Sequence, residues 1–182
     1  PVEDFTKPQK EKINVTLIAN PPDIDDSKFD RVVTYLRTLA PPAQRNANDP
    51  SVKRGNILFH KIGCANCHTP SLRTGSDASI DELKNQSIKP YTDLLLHDMG
   101  EDLADGIQDS LASGSEWRTP PLWGIGLTKT VNGNTFFLHD GRARSIEEAI
   151  LWHGGEGSES RKNYSSLSLD DKVDLLNFIN SL

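Results

Sequence analysis

The chain is short of most of what builds a large dry interior. Hydrophobic residues make up 35% of its 182 positions and aromatics 7%, and the mean hydropathy is −0.52. With Gly 13 and Pro 11, this profile fits a loop-rich globular protein whose core is thin for its length, and a large apolar cofactor is one way to fill such a core. Long apolar runs are missing too. Stretches such as Leu94-Leu95-Leu96 fall far below the ~20 residues that span a bilayer, so no transmembrane segment is expected. A basic excess is also lacking: Lys+Arg 20 against Asp+Glu 26 gives −6 and a pI near 5.3, which argues against nucleic acid as a partner. The opening Pro1-Val2-Glu3-Asp4 has neither the basic nor the apolar region of a secretion signal and reads as a processed or truncated start.

What is present is mainly helical punctuation. Phe29, Val32, Val33, Leu36 and Leu39 form one stripe after the lead-in Pro21-Pro22-Asp23, and Pro41-Pro42 stops it. Residues 1–45 therefore read as an N-terminal extension with one amphipathic helix, the tail of a preceding domain. Residues 46–182 read as the main domain. In it, Val52, Gly55, Phe59 and Ile62 recur at helical spacing behind Ser51 as N-cap, and Gly63 ends the helix. The stretch from Thr69 to Thr135 is mostly loop. Asn132-Gly133-Asn134, between Val131 and Thr135-Phe136-Phe137-Leu138, predicts a short β-hairpin. Ser145-Ile146-Glu147-Glu148 is a capping box for a helix whose one face carries Ile146, Ala149, Ile150 and His153. Ser168 caps the last helix, where Leu169, Val173, Leu176 and Ile179 are expected to be buried. The fold class is mainly α, with long loops. Acidic stretches at Asp23–Asp26 and Glu101–Asp105 read as solvated faces.

The two cysteines both fall in Cys64-Ala65-Asn66-Cys67-His68. Cys-x-x-Cys-His is the attachment signature of haem c: each thiol adds to a vinyl group and the adjacent histidine reaches the iron. A dithiol redox pair would need a βαβ setting, and an amphipathic helix precedes the motif instead. Zinc would need a second ligand pair. A disulfide between residues three apart is strained. One covalently bound haem c, with Cys64 and Cys67 as thioether anchors and His68 proximal, is the expectation. Met99, His60, His97, His139 and His153 compete for the sixth position of the iron. His60 lies off the apolar stripe of its helix, whereas His153 shares a buried face, so His153 is preferred with Met99 as the alternative and a water-filled position left open.

Several stretches in order complete the pattern: Gly55-Asn56-Ile57-Leu58-Phe59, Tyr91 to Gly100, Trp117-Arg118-Thr119-Pro120-Pro121-Leu122, Leu138-His139-Asp140-Gly141-Arg142 and Ser145 to Ala149. Together, from about Val52 to Leu182, they resemble the bacterial di-haem cytochrome c peroxidase superfamily, nearest the di-haem oxidoreductase branch often labelled thiol oxidoreductases. The resemblance is to the C-terminal haem domain, and it implies a mainly α, cytochrome c-like haem domain over residues 46–182. It implies that the helix after the His-Asp-Gly corner bears the distal ligand, methionine or tyrosine in relatives, at the position of His153 here. It also implies a bis-histidine, low-potential iron that relays electrons. Arg118 would pair with a haem propionate, and His139 and Arg142 would anchor the corner near one. The second Cys-x-x-Cys-His of those two-haem proteins is absent from this chain, so a second haem domain or a redox partner protein is expected as partner. An acidic surface favours a basic or small one. A periplasmic location follows from where haem c is attached. A peroxidase with an exchangeable sixth ligand and a thiol/disulfide oxidoreductase are the rival activities.

Overall fold

The computed structural model of the chain describes residues 24–182. The lead-in Pro21-Pro22-Asp23 and the rest of the N-terminal extension before it lie outside the described residues. The chain divides into two compact units, with the boundary between Ala40 and Pro41.

In the first unit, α1 (Asp26–Thr38) starts where the Asp25 carboxylate accepts the Lys28 N–H at 2.9 Å. The apolar stripe seen in the sequence is there, and it is open to solvent: Phe29 is 56% and Leu36 59% exposed.

The second unit is built on two helices, α2 (Pro50–Lys61) and α6 (Leu169–Ser181). The N-cap of α2 is Asp49, not Ser51. Pro50 takes the first helical position, where a missing N–H costs nothing, and the Asp49 carboxylate accepts the N–H groups of Ser51 and Val52. Freed from capping, the Ser51 hydroxyl donates to Asp174 on α6 at 2.5 Å. The Arg54 guanidinium grips the same carboxylate at 2.5 and 2.9 Å. Gly55 is what lets the helices close: a Cβ there would lie 2.0 Å from the Asp174 carbonyl oxygen and 2.7 Å from the Phe178 Cβ.

That close crossing also corrects the phase of α6. Leu169 and Val173 are 81% and 55% exposed, while Asp174, Leu175, Phe178 and Ile179 are buried. The helix carries two apolar stripes, and the groove at Gly55 selects the second. Phe59, Tyr91 and Phe178 meet edge to face at 5.3–6.0 Å and form the centre of the core.

Strands occur where the sequence gives little sign of them. β1 (Leu72–Arg73) pairs antiparallel with β2 (Ser87–Ile88), and β3 (Leu96–Asp98) with β4 (Glu116–Arg118), His97 facing Trp117. The hairpin expected over 131–138 is not formed. Its first arm ends a short helix, α3 (Thr128–Asn132), terminated by Gly133 in the left-handed region, and Phe137 bridges Ala143 instead. The capping box at Ser145 starts α4 (Ile146–Trp152), the Ser145 hydroxyl accepting the Glu148 N–H at 3.0 Å. A further helix, α5 (Ser158–Ser165), was not expected. It is almost wholly polar and is held by the buried Tyr164, whose hydroxyl donates to Glu147 at 2.8 Å.

Candidate functional site

Gly63 stops α2 in the left-handed conformation (φ 96°), a backbone that L side chains rarely adopt. The chain then makes one 3-10 turn at Cys64–Asn66, with the His68 N–H donating to the Cys64 carbonyl at 3.0 Å. Both cysteines are free thiols. Burial pushes the Cys64 thiol up to about 12, and burial together with Asp93 and Glu156 pushes Cys67 up as well. A thiol used for exchange needs the opposite shift, so the surroundings do not favour dithiol redox chemistry.

Burial pushes the His68 imidazole down to about 4, so it is neutral at neutral pH. Its Nδ1 lies 3.1 Å from the Tyr91 carbonyl, an acceptor only; Nδ1 therefore carries the proton and Nε2 keeps its lone pair. His153, the residue that closes α4, is arranged in the same way. Burial lowers its pKa, and its Nδ1 donates to the Ala149 carbonyl at 2.7 Å. The two rings stand 6.4 Å apart between centroids, tilted by 48°.

This separation tests the fit of a haem. Two imidazoles in line on opposite faces of one metal stand on the order of 6.3 Å apart, given metal–nitrogen bonds of ~2.0–2.1 Å and roughly 1.1 Å from each Nε2 to its ring centre. The observed spacing fits, and the N–H to carbonyl bond behind each ring is the support that metal-bound histidines ordinarily have.

Met99 lies beside His153. A Cβ placed on Gly157 would meet the Met99 methyl at 3.4 Å and His153 Cδ2 at 3.2 Å. Of the five candidates for the sixth position, the preferred His153 and the alternative Met99 thus both approach Gly157. His60 is exposed, as its place off the stripe implied.

His97 is held otherwise. Its Nε2 donates to Asp93 at 2.9 Å and its Nδ1 to Glu156 at 2.8 Å, so neither nitrogen has a lone pair to offer. Glu156 and Asp93 raise its pKa above the ordinary imidazole value. Cys67, Asp93 and His97 bring their ligand atoms within 4.8 Å of one another. Asp93, Glu156 and the Tyr91 carbonyl are the parts of the site that sequence reasoning missed. The Tyr91-to-Gly100 stretch contained Asp93 and Tyr91, and nothing in the sequence pointed to Glu156.

A second group gathers at the His-Asp-Gly corner. His139 stacks on Trp117 at 3.5 Å, and the Trp117 indole donates to the Leu103 carbonyl at 3.0 Å. Arg142 donates to Asp140 at 2.6 Å and to the Asp102 carbonyl, and lies 4.8 Å over the ring of Trp152, next to His153. The corner is thus anchored against the end of α4. Arg118, on β4, is exposed.

A helical body with two neighbouring buried imidazoles and two free thiols, in the order Cys-x-x-Cys-His, defines a haem-type redox protein. The comparison with families is specific: residues 17–182 match the family described as "di-haem oxidoreductase, putative peroxidase", and the chain belongs to that family. No curated protein and no solved structure matches the chain.

Proposed function

We propose that this chain carries one haem c and passes single electrons through it, as the C-terminal haem domain of a di-haem oxidoreductase acting in the periplasm. Cys64 and Cys67 would bond the vinyl groups. His68 and His153 would hold the iron from its two sides, with Arg118, His139 and Arg142 toward the propionates. When bound, the haem supplies a reversible one-electron couple. The protein supplies the rest. The Tyr91 and Ala149 carbonyls fix the tautomer and aim of the two imidazoles, and burial keeps both neutral. Two histidine ligands with hydrogen-bonded Nδ1 favour the ferric state and a low potential. A second haem domain or a small or basic redox partner would take up or deliver the electron at the acidic surface.

The observation that supports this reading most is the pair of neutral imidazoles 6.4 Å apart beside the thiols of the motif. It is tested by producing the chain in a host that matures cytochromes c and recording intact mass and reduced spectrum. The mass of one haem added to the polypeptide, with the narrow bands of a low-spin thioether-bound haem, is expected. Cys64→Ser combined with Cys67→Ser should abolish the covalent adduct.

The family's description favours a second reading, in which the sixth ligand gives way to peroxide. Cyanide separates the two: a bis-histidine iron resists it, and an exchangeable site binds it readily.

A further inference from the structure

We infer that His97 is a positioning residue: clamped between Asp93 and Glu156, it sets the separation of His68 and His153. This rests on the reading of those two imidazoles as iron ligands. The argument follows a continuous series of contacts. The Tyr91 carbonyl holds His68 Nδ1. Two residues on, Asp93 accepts from His97 Nε2, and His97 Nδ1 reaches Glu156, three residues past His153. The other Glu156 oxygen accepts the Asp98 N–H at 3.0 Å. Segment 91–100 thus begins against one imidazole and ends against the turn that follows the other.

The backbone makes the same junction. Gly154 and Gly155 lie so close to the segment that a Cβ would come 2.5 Å from the Met99 carbonyl oxygen and 2.1 Å from that of Asp98. At its start the segment is equally constrained. Tyr91 and Leu94 both have positive φ, at 54° and 63°. Thr92, fully buried, ties them down by donating to the Thr119 carbonyl at 2.6 Å and accepting the Leu94 N–H at 2.9 Å. Between these two ends His97 is a rigid cross-brace, its ring bonded to Asp93 on one side and Glu156 on the other. A flat ring with two donors at a set angle fixes the gap between two carboxylates, and a flexible side chain would not. With both nitrogens committed, His97 acts on the iron only through its neighbours.

The test uses the haem-loaded chain. His97→Ala should let His153 leave the iron more easily, and exogenous cyanide should then bind the ferric form ~10–100-fold more tightly, the usual size of an effect transmitted from behind a metal ligand. The low-spin ferric spectrum should broaden or gain a high-spin or methionine-ligated component from Met99. Glu156→Gln, altering a carboxylate that is 56% exposed, should move both readouts in the same direction by a smaller factor, and it carries the test should His97→Ala fail to fold. His97→Gln, which can still donate to one carboxylate, should fall between wild type and His97→Ala. Wild-type cyanide affinity and spectrum in folded His97→Ala, or in Glu156→Gln, overturn the inference alone. A wild-type chain with no low-spin covalent haem overturns the proposed function and this inference with it.

Discussion

At the scale of single residues, the site is a matter of protonation. His68 and His153 are kept neutral by burial and keep their lone pairs on Nε2 because a carbonyl occupies each Nδ1. His97, two residues from Met99, has its pKa raised instead, by two carboxylates. Replacing His153 with alanine in the haem-loaded chain should therefore destroy the bis-imidazole low-spin signature in the ferric absorption and paramagnetic resonance spectra. Met99→Leu should leave it intact. The reverse pattern would transfer the sixth position to Met99. In the haem-free chain, the thiols should differ in reactivity. Cys64, with its pKa near 12, holds on the order of a thousandfold less thiolate than an ordinary cysteine. Iodoacetamide at mildly alkaline pH should label Cys67 first, and peptide mapping reads the order.

At the scale of elements, the crossing of α2 and α6 places the haem motif. Alanine normally improves a helix interior relative to glycine by ~1 kcal/mol. At Gly55 the sign should reverse, because the new methyl meets the Asp174 carbonyl and Phe178 across the crossing. Gly55→Ala should cost ~1–3 kcal/mol, as overpacking does, seen as a lower midpoint in urea or heat.

The Asp174 carboxylate in the same crossing is held below the usual range by Arg54 and Ser51. A depressed native pKa means stability that is complete above the unfolded value and is lost as pH falls through the folded one. Asp174→Asn should therefore unfold at lower urea than wild type at neutral pH. The gap should begin to shrink near pH 4, the unfolded value, and close only at lower pH, once the native carboxylate has also gained its proton. A gap independent of pH would mean that packing, rather than the ion pair, is what the substitution removes.

At the scale of the whole molecule, the second unit holds the motif, both imidazoles and the clasp between them, and it begins at Pro41. Arg45, near its start, donates to the carbonyls of Asn180 and Leu182 and so ties this end to α6. A chain starting at Pro41 should keep the helical circular dichroism and unfolding midpoint of that unit, and in a maturing host should still acquire one haem. Loss of cooperative unfolding on this truncation would show that the first unit takes part in folding the second.

The sequence by itself determined the chemistry and the helix signals. The Cys-x-x-Cys-His motif, the Gly63 stop, the Ser145 cap and the periodic placing of His153 are all local facts, fixed within a turn or two of chain. Residues 17–182 also carried the family. What needed the tertiary structure was every choice between local equals. The last helix has two apolar stripes, and only the groove at Gly55 selects the one that is buried. Ser51 and Asp49 both can cap, and the presence of Asp174 across the crossing gives Ser51 another partner. Asp93 and His97 are neighbours in sequence, but Glu156 lies 59 residues beyond His97 with nothing periodic to link it to them, and α5 has almost no apolar residue to announce it. Hydrogen bonds across long loops leave no trace in spacing, because their partners meet only when the chain has packed.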